Sequence, residues 1–168
     1  MPAPTWQEIT EALMSSEAFM PNKKYIVTDE EVCSLLDRID DVNHADSRGI
    51  SLLMEAVLHR RPAVVRYLID RGADVHHQDA KGYTALHLAV HKDMLSVSRM
   101  LVEAGADLTA RDVGGNTPLH KAPWNIAEEH VQFLAQSGAD INAQNNVGWT
   151  AGFLLRPELH RFFPAEEK

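Results

Sequence analysis

Apolar residues recur along the chain at helical spacing, in short stretches interrupted by polar turns at regular intervals. Trp6, Ile9, Leu13 and Met20 share one helical face, and Thr5-Trp6-Gln7-Glu8 opens that stretch with a capping box. Pro21-Asn22-Lys23-Lys24 reads as a linker. Thr28-Asp29-Glu30-Glu31 is a second capping box, opening a helix through Val32, Leu35 and Leu36. Farther on, Thr84 caps a short helix carrying Leu86, Leu88 and Ala89. Leu95, Val97, Met100 and Leu101 mark the buried side of the helix that follows, and Gly105 stops it.

This pattern repeats every 33 residues. Gly49, Gly82, Gly115 and Gly148 keep that step, as do Gly72, Gly105 and Gly138, each of the latter followed by Ala-Asp. Ser51, Thr84, Thr117 and Thr150 stand two positions after the first glycine set. Ala56, Ala89 and Ala122 keep the step, and so do Leu68, Leu101 and Leu134. Such a period is the mark of a stacked array, because one helix pair cannot cover its own apolar face while stacked copies bury it against each other.

Thr117-Pro118-Leu119-His120-Lys121-Ala122 matches the Thr-Pro-Leu-His-x-Ala signature of the ankyrin-repeat family, and Thr84-Ala85-Leu86-His87-Leu88-Ala89 nearly matches it. Over residues 29–163 the chain therefore resembles a small ankyrin-repeat protein. The resemblance implies an all-α repeat solenoid of helix-turn-helix units with β-hairpin-like turns. The expected organisation is a capping helix and linker over 1–24 and a repeat domain over 25–163. That domain divides into a half repeat at 29–45, full repeats at 46–78, 79–111 and 112–144, and a truncated repeat at 145–163. A tail, 164–168, follows. Pro157 arrives before the last outer helix could begin, and Phe162 and Phe163 are expected to fold back over the exposed end.

Composition narrows the class. The 168 residues are 45% hydrophobic and 24% charged, which excludes a wholly disordered chain. Apolar runs are far shorter than the roughly 20 residues a membrane helix needs, and the N-terminus has no signal-like apolar core. A soluble, cytoplasmic monomer with no membrane partner is expected. The single Cys33 cannot form an internal disulfide. The net charge of −8 argues against nucleic acid and fits a protein partner with a basic surface, or plain solubility. The acid is concentrated at one end: residues 1–45 hold nine acidic and three basic side chains, a balance of −6, while 46–111 balance at +1 and 112–168 at −3.

Candidate chemistry is sparse. Nine histidines raise the possibility of a metal, and His87 and His91 have a spacing that can share one. However, His87 and His120 occupy the signature position, where the resemblance implies a histidine that ties adjacent turns together. His44, His76 and His77 stand at turns without a ligand pattern. Cys33 sits in an apolar helical run, where burial makes a thiol inert. Gly114-Gly115 lacks the lysine and strand context of a phosphate loop. Asp74, Asp107 and Asp140 read as turn caps. No catalytic residue, metal site or cofactor is expected, and the protein is not read as an enzyme. Leu35-x5-Asp41-Val42-Asn43 and Leu134-x5-Asp140-Ile141-Asn142 resemble the context in which ankyrin asparagines are hydroxylated in animal cells. The plainer reading is turn asparagines.

The resemblance implies a binding face made of turn tips and inner helices. In register, the tips carry Ile50, Tyr83, Asn116 and Trp149, and the inner-helix ends carry Leu58, His91 and Trp124, then His59, Lys92 and Asn125. These positions vary while the framework stays constant, as a binding surface on a repeated scaffold should. Tyr83, Trp124 and Trp149 are residue types enriched at interface hot spots. The favoured function is a non-catalytic module that masks or inhibits a protein partner, as an immunity or antitoxin protein does. The alternatives are a scaffold, adaptor or pathogen effector bridging two proteins, and a module resembling the small ankyrin inhibitors of cell-cycle kinases.

Overall fold

The computed structural model describes residues 3–15, 27–123 and 125–163. Met20, the expected linker at 21–24, Trp124 and the tail 164–168 lie outside the described residues. Helix α1 (Trp6–Met14) and α2 (Asp29–Leu36) come first, each opened by the capping box read from sequence. Next come α3 (Leu52–Leu58) with α4 (Pro62–Asp70), and α5 (Ala85–His91) with α6 (Leu95–Glu103). A 3₁₀ turn, Pro118–Lys121, then precedes α7 (Glu128–Gln136). Helix α8 (Ala151–Leu154) and a second 3₁₀ turn, Pro157–Phe162, end the described chain. The architecture is an all-α repeat solenoid. Among the described residues the turns form only isolated bridges, Ala45 with Ser51 and Gln144 with Thr150.

The repeated residues build the repeated elements. Ser51, Thr84 and Thr150 each accept the third backbone N–H of the helix they open. Leu68, Leu101 and Leu134 are fully buried on the outer helices, each worth about 1.5–3 kcal/mol of apolar burial. The unit at 112–144 departs from its neighbours, since its inner helix shrinks to the turn Pro118–Lys121. Pro123 is the reason: it pushes Ala122 out of helical geometry, to ψ 125°. At the far end Leu159 and Phe163 are buried and Phe162 half-buried, and the Pro157–Phe162 turn packs on α7 where an outer helix would lie.

Adjacent tips are joined by backbone. The N–H groups of Ala80, Val113 and Asn146 donate to the carbonyls of Arg48, Lys81 and Gly114, each at 2.9 Å. Gly82 makes this approach possible. Its φ is +77°, and a Cβ there would stand 2.8 Å from the Asp112 Cα. Gly72 also has positive φ, +81°, but a Cβ would meet nothing within 4 Å.

One buried side chain of the array bonds directly to helix α1. Arg61, buried at the start of α4, donates to the carbonyls of Ala12 (2.9 Å), Leu13 (3.1 Å) and Val27 (2.9 Å) and to the Asp29 carboxylate (2.6 Å). Ala12 and Leu13 lie in the last turn of α1, where intrahelical donors run out and a cation is favoured. Ile9 and Leu13 supply the apolar contact beneath.

Three substitutions test this geometry. Gly72→Ala should cost about 1–2 kcal/mol, the penalty of left-handed backbone alone. Gly82→Ala should cost clearly more in the same urea titration, because Asp112 must move; equal losses would show that close approach is not what the glycine serves. Arg61→Met should lower stability by about 3 kcal/mol, since Asp29 and three carbonyls lose their partner. It should also speed hydrogen exchange in α1. Unchanged α1 protection would mean that Ile9 and Leu13 hold the helix unaided.

Candidate functional site

One cluster has the connectivity of a catalytic relay. The His130 Nδ1–H donates to Asp93 Oδ1 at 2.6 Å, and its Nε2 accepts from the Ser98 hydroxyl at 2.9 Å. Ser98 and His130 are both 0% exposed, so no substrate reaches the hydroxyl. The cluster braces α6 against α7, and Asp93 Oδ2 also accepts the Ala127 N–H at 3.0 Å. No group of three or more potential metal ligands occurs among the described residues. His87, one of the spaced pair, has both nitrogens engaged within the fold. Asp74, Asp107 and Asp140 accept the N–H two residues on, as turn caps do. Burial and the nearby Asp29, Asp37 and Glu30 push the Cys33 thiol up, away from the reactive thiolate.

The residues expected on the binding face have unequal fates. Ile50 and His59 are corrections: both are buried, Ile50 in the core and His59 with Nε2 3.1 Å from Glu55 Oε2. Their register predicted exposure, but the next tip closes on neighbouring Gly49 and α3 is buried along nearly its whole length. Leu58 is half-buried against the core. Asn116 is taken up by structure, donating to both Asp112 oxygens and accepting from the Asn145 side chain at 2.9 Å. Tyr83 is half-buried under Lys121, whose Nζ lies 4.8 Å from the ring centroid and 3.3 Å from the hydroxyl. Trp149 is exposed. His91, Lys92 and Asn125 share one hollow, and Trp124 lies outside the described residues. Asn43 and Asn142 are exposed turn residues, and Asn43 Oδ1 accepts the Asp74 N–H at 2.7 Å.

Sequence reasoning missed several neighbours of these residues. Phe153 packs beside Trp149, ring centroids 5.7 Å apart. It stands 33 residues after His120, so the change from histidine to an apolar ring was a readable signal. Arg60 lines the hollow of Lys92, and Val113 and Val147 project from adjacent tips.

The signature histidines couple these tips. Nδ1 of His87 accepts the Thr84 N–H at 3.1 Å, and its Nε2–H donates to the Asn116 carbonyl at 3.0 Å. His120 repeats this with Thr117 at 3.1 Å and the Trp149 carbonyl at 3.2 Å. Both rings are therefore needed neutral. Burial lowers the pKa of His87, His120 and His130 alike, and in His130 it outweighs the Asp93 carboxylate. Below the ordinary value of about 6.5 the unfolded chain takes up protons that the folded chain refuses, so stability falls as pH drops. The urea midpoint should be level above about pH 7 and decline toward pH 5, with a shallower decline for His87→Gln. A level midpoint throughout would remove these histidines from the stability of the fold.

No curated protein matches the chain. The family model for ankyrin repeats in three copies matches over residues 25–112 and again over 53–145, spanning most of the chain. With the tip-bridging histidines and stacked helix pairs described above, the chain belongs to the ankyrin-repeat family, whose repeats generally mediate protein–protein interaction.

Proposed function

We propose that this protein is a non-catalytic binding module that occupies and masks a surface of a partner protein. One observation carries the reading. Trp149 (54% exposed) and Phe153 (70%) pack ring against ring at the start of the last repeat, and Val113 (73%) and Val147 (72%) project from the last two tips, which the Asn146 N–H joins to the Gly114 carbonyl. Grouped exposed apolar side chains of this size mark interaction surfaces. Tyr83 extends the same row of tips by one repeat. The overall charge of −8 supports a partner whose broader surface is basic. An inhibitor of the immunity or antitoxin kind acts in this way, by covering the working surface of a toxin or enzyme.

A lysate of the source cell, passed over the wild type and over Tyr83→Ala/Trp149→Ala/Phe153→Ala, tests the reading. Each aromatic anchor removed should cost about 2 kcal/mol of binding, so the variant should release the protein that the wild type holds in a 1:1 complex. A partner retained undiminished by the variant would put the site elsewhere. Two proteins held simultaneously would replace masking with an adaptor role.

A further inference from the structure

We propose that the hollow at the C-terminal ends of the inner helices, lined by Arg60, His91, Lys92, Asp93, Pro123 and Asn125, receives an acidic segment of the partner protein. This rests on the binding reading above and names the chemistry of one part of the contact. The hollow measures about 510 Å³, room for one or two carboxylate side chains but not for a folded surface. Its cations come from two successive repeats. The Arg60 Nη2 group donates to the Lys92 carbonyl at 3.0 Å, which holds the guanidinium beside the lysine. Among the described residues Arg48, Arg61, Arg66 and Lys121 take their carboxylates elsewhere, and no ion pair reaches Arg60 or Lys92.

Asp93, the one acid in the lining, has both oxygens engaged, by His130 and by the Ala127 N–H, so the hollow sets two cations against one carboxylate that already has its partners. Burial and the adjacent Arg60 charge push the Lys92 ammonium below its ordinary range, as expected of a cation that lacks a counter-charge. Arg60 also borders the neighbouring hollow, lined by Arg99 and again by Asp93, so a strip of three cations and one acid joins the two cavities. Asn125 and His91 add hydrogen-bond donors, and Pro123 an apolar wall.

The occupant is a short protein segment and not a nucleic acid. A long polyanion would be opposed by the net charge of −8 of the chain around the hollow. A few Asp or Glu side chains on a folded partner enter the strip without meeting that field.

The test is fluorescence anisotropy with a labelled peptide of alternating Asp and Glu, beside its all-Lys counterpart and a single-stranded oligonucleotide. The acidic peptide should bind, weaken as salt rises, and lose affinity at least about tenfold with Arg60→Glu/Lys92→Glu. Arg60→Gln/Lys92→Gln should give an intermediate loss, which guards against misfolding of the charge-reversed variant. Equal binding of the acidic and basic peptides, or equal binding by wild type and both variants, would overturn the inference. Oligonucleotide binding that exceeds peptide binding and vanishes with the same substitutions would overturn it in favour of nucleic acid. If the captured partner is kept by the Arg60/Lys92 variants but lost from the Tyr83/Trp149/Phe153 variant, the acidic segment is wrong while the masking role stands.

Discussion

No unit of this chain satisfies itself. Each turn leaves a carbonyl that only the next turn can fill, and each helix pair leaves an apolar face that only the next pair can cover. The amides of Ala80, Val113 and Asn146 close the first deficit, and His87 and His120 reinforce it by donating to the Asn116 and Trp149 carbonyls. Gly82 and the neutral imidazoles serve this tip-to-tip bond. At Gly82 the requirement is double, since the residue must turn left-handed and also let Asp112 come close. At Gly148 a Cβ would meet nothing within 4 Å, so only the first requirement remains. Among the described residues no further tip stacks on this one, and Trp149 and Phe153 are exposed there.

Repetition made the framework readable. A single Thr-x-x-His is a weak signal, but its recurrence at 33 residues with a glycine ahead and Gly-Ala-Asp behind removes the ambiguity. Contacts that occur once had no such support. Arg60 and Arg61 are the sharpest case. They are adjacent and chemically identical, yet one is exposed over a hollow while the other is buried and holds α1 and the start of α2. Arg60 takes φ +54°, and that left-handed step separates the fates of the two side chains. The residue types do not show it, since Asp93, which shares the geometry one repeat on, shares nothing of the side chain. The His130–Asp93–Ser98 brace was hidden for the same reason, because His130 stands 37 and 32 residues from its partners and the three lack counterparts in the other repeats.

The expected binding face was legible as a set of positions and not as a set of exposures. Register correctly aligned Ile50, Tyr83, Asn116 and Trp149, but the four environments range from core to open solvent. Position within the repeat decides where a side chain stands, while position along the array decides what covers it. Ile50 has a stacked tip beside it, Tyr83 has Lys121 over its ring, and Asn116 is drawn into the Asp112 turn.

Charge shows the same separation between average and place. A chain at −8 reads as a partner for bases, but an average does not say which carboxylates are already committed. At equivalent positions of successive repeats stand Arg60 and Asp93, both left-handed, at φ +54° and +50°. The fold asks only for that backbone geometry and leaves the side chain free to vary. Asp93 spends its carboxylate on His130 and on the Ala127 N–H, securing α7 against the repeat before it. Arg60 makes no such inward bond, and its charge stays at the surface beside Lys92. The bonds that secure α7 thus engage the one carboxylate beside Arg60 and Lys92, and a hollow with two cations in an acidic protein follows from how its helices are braced.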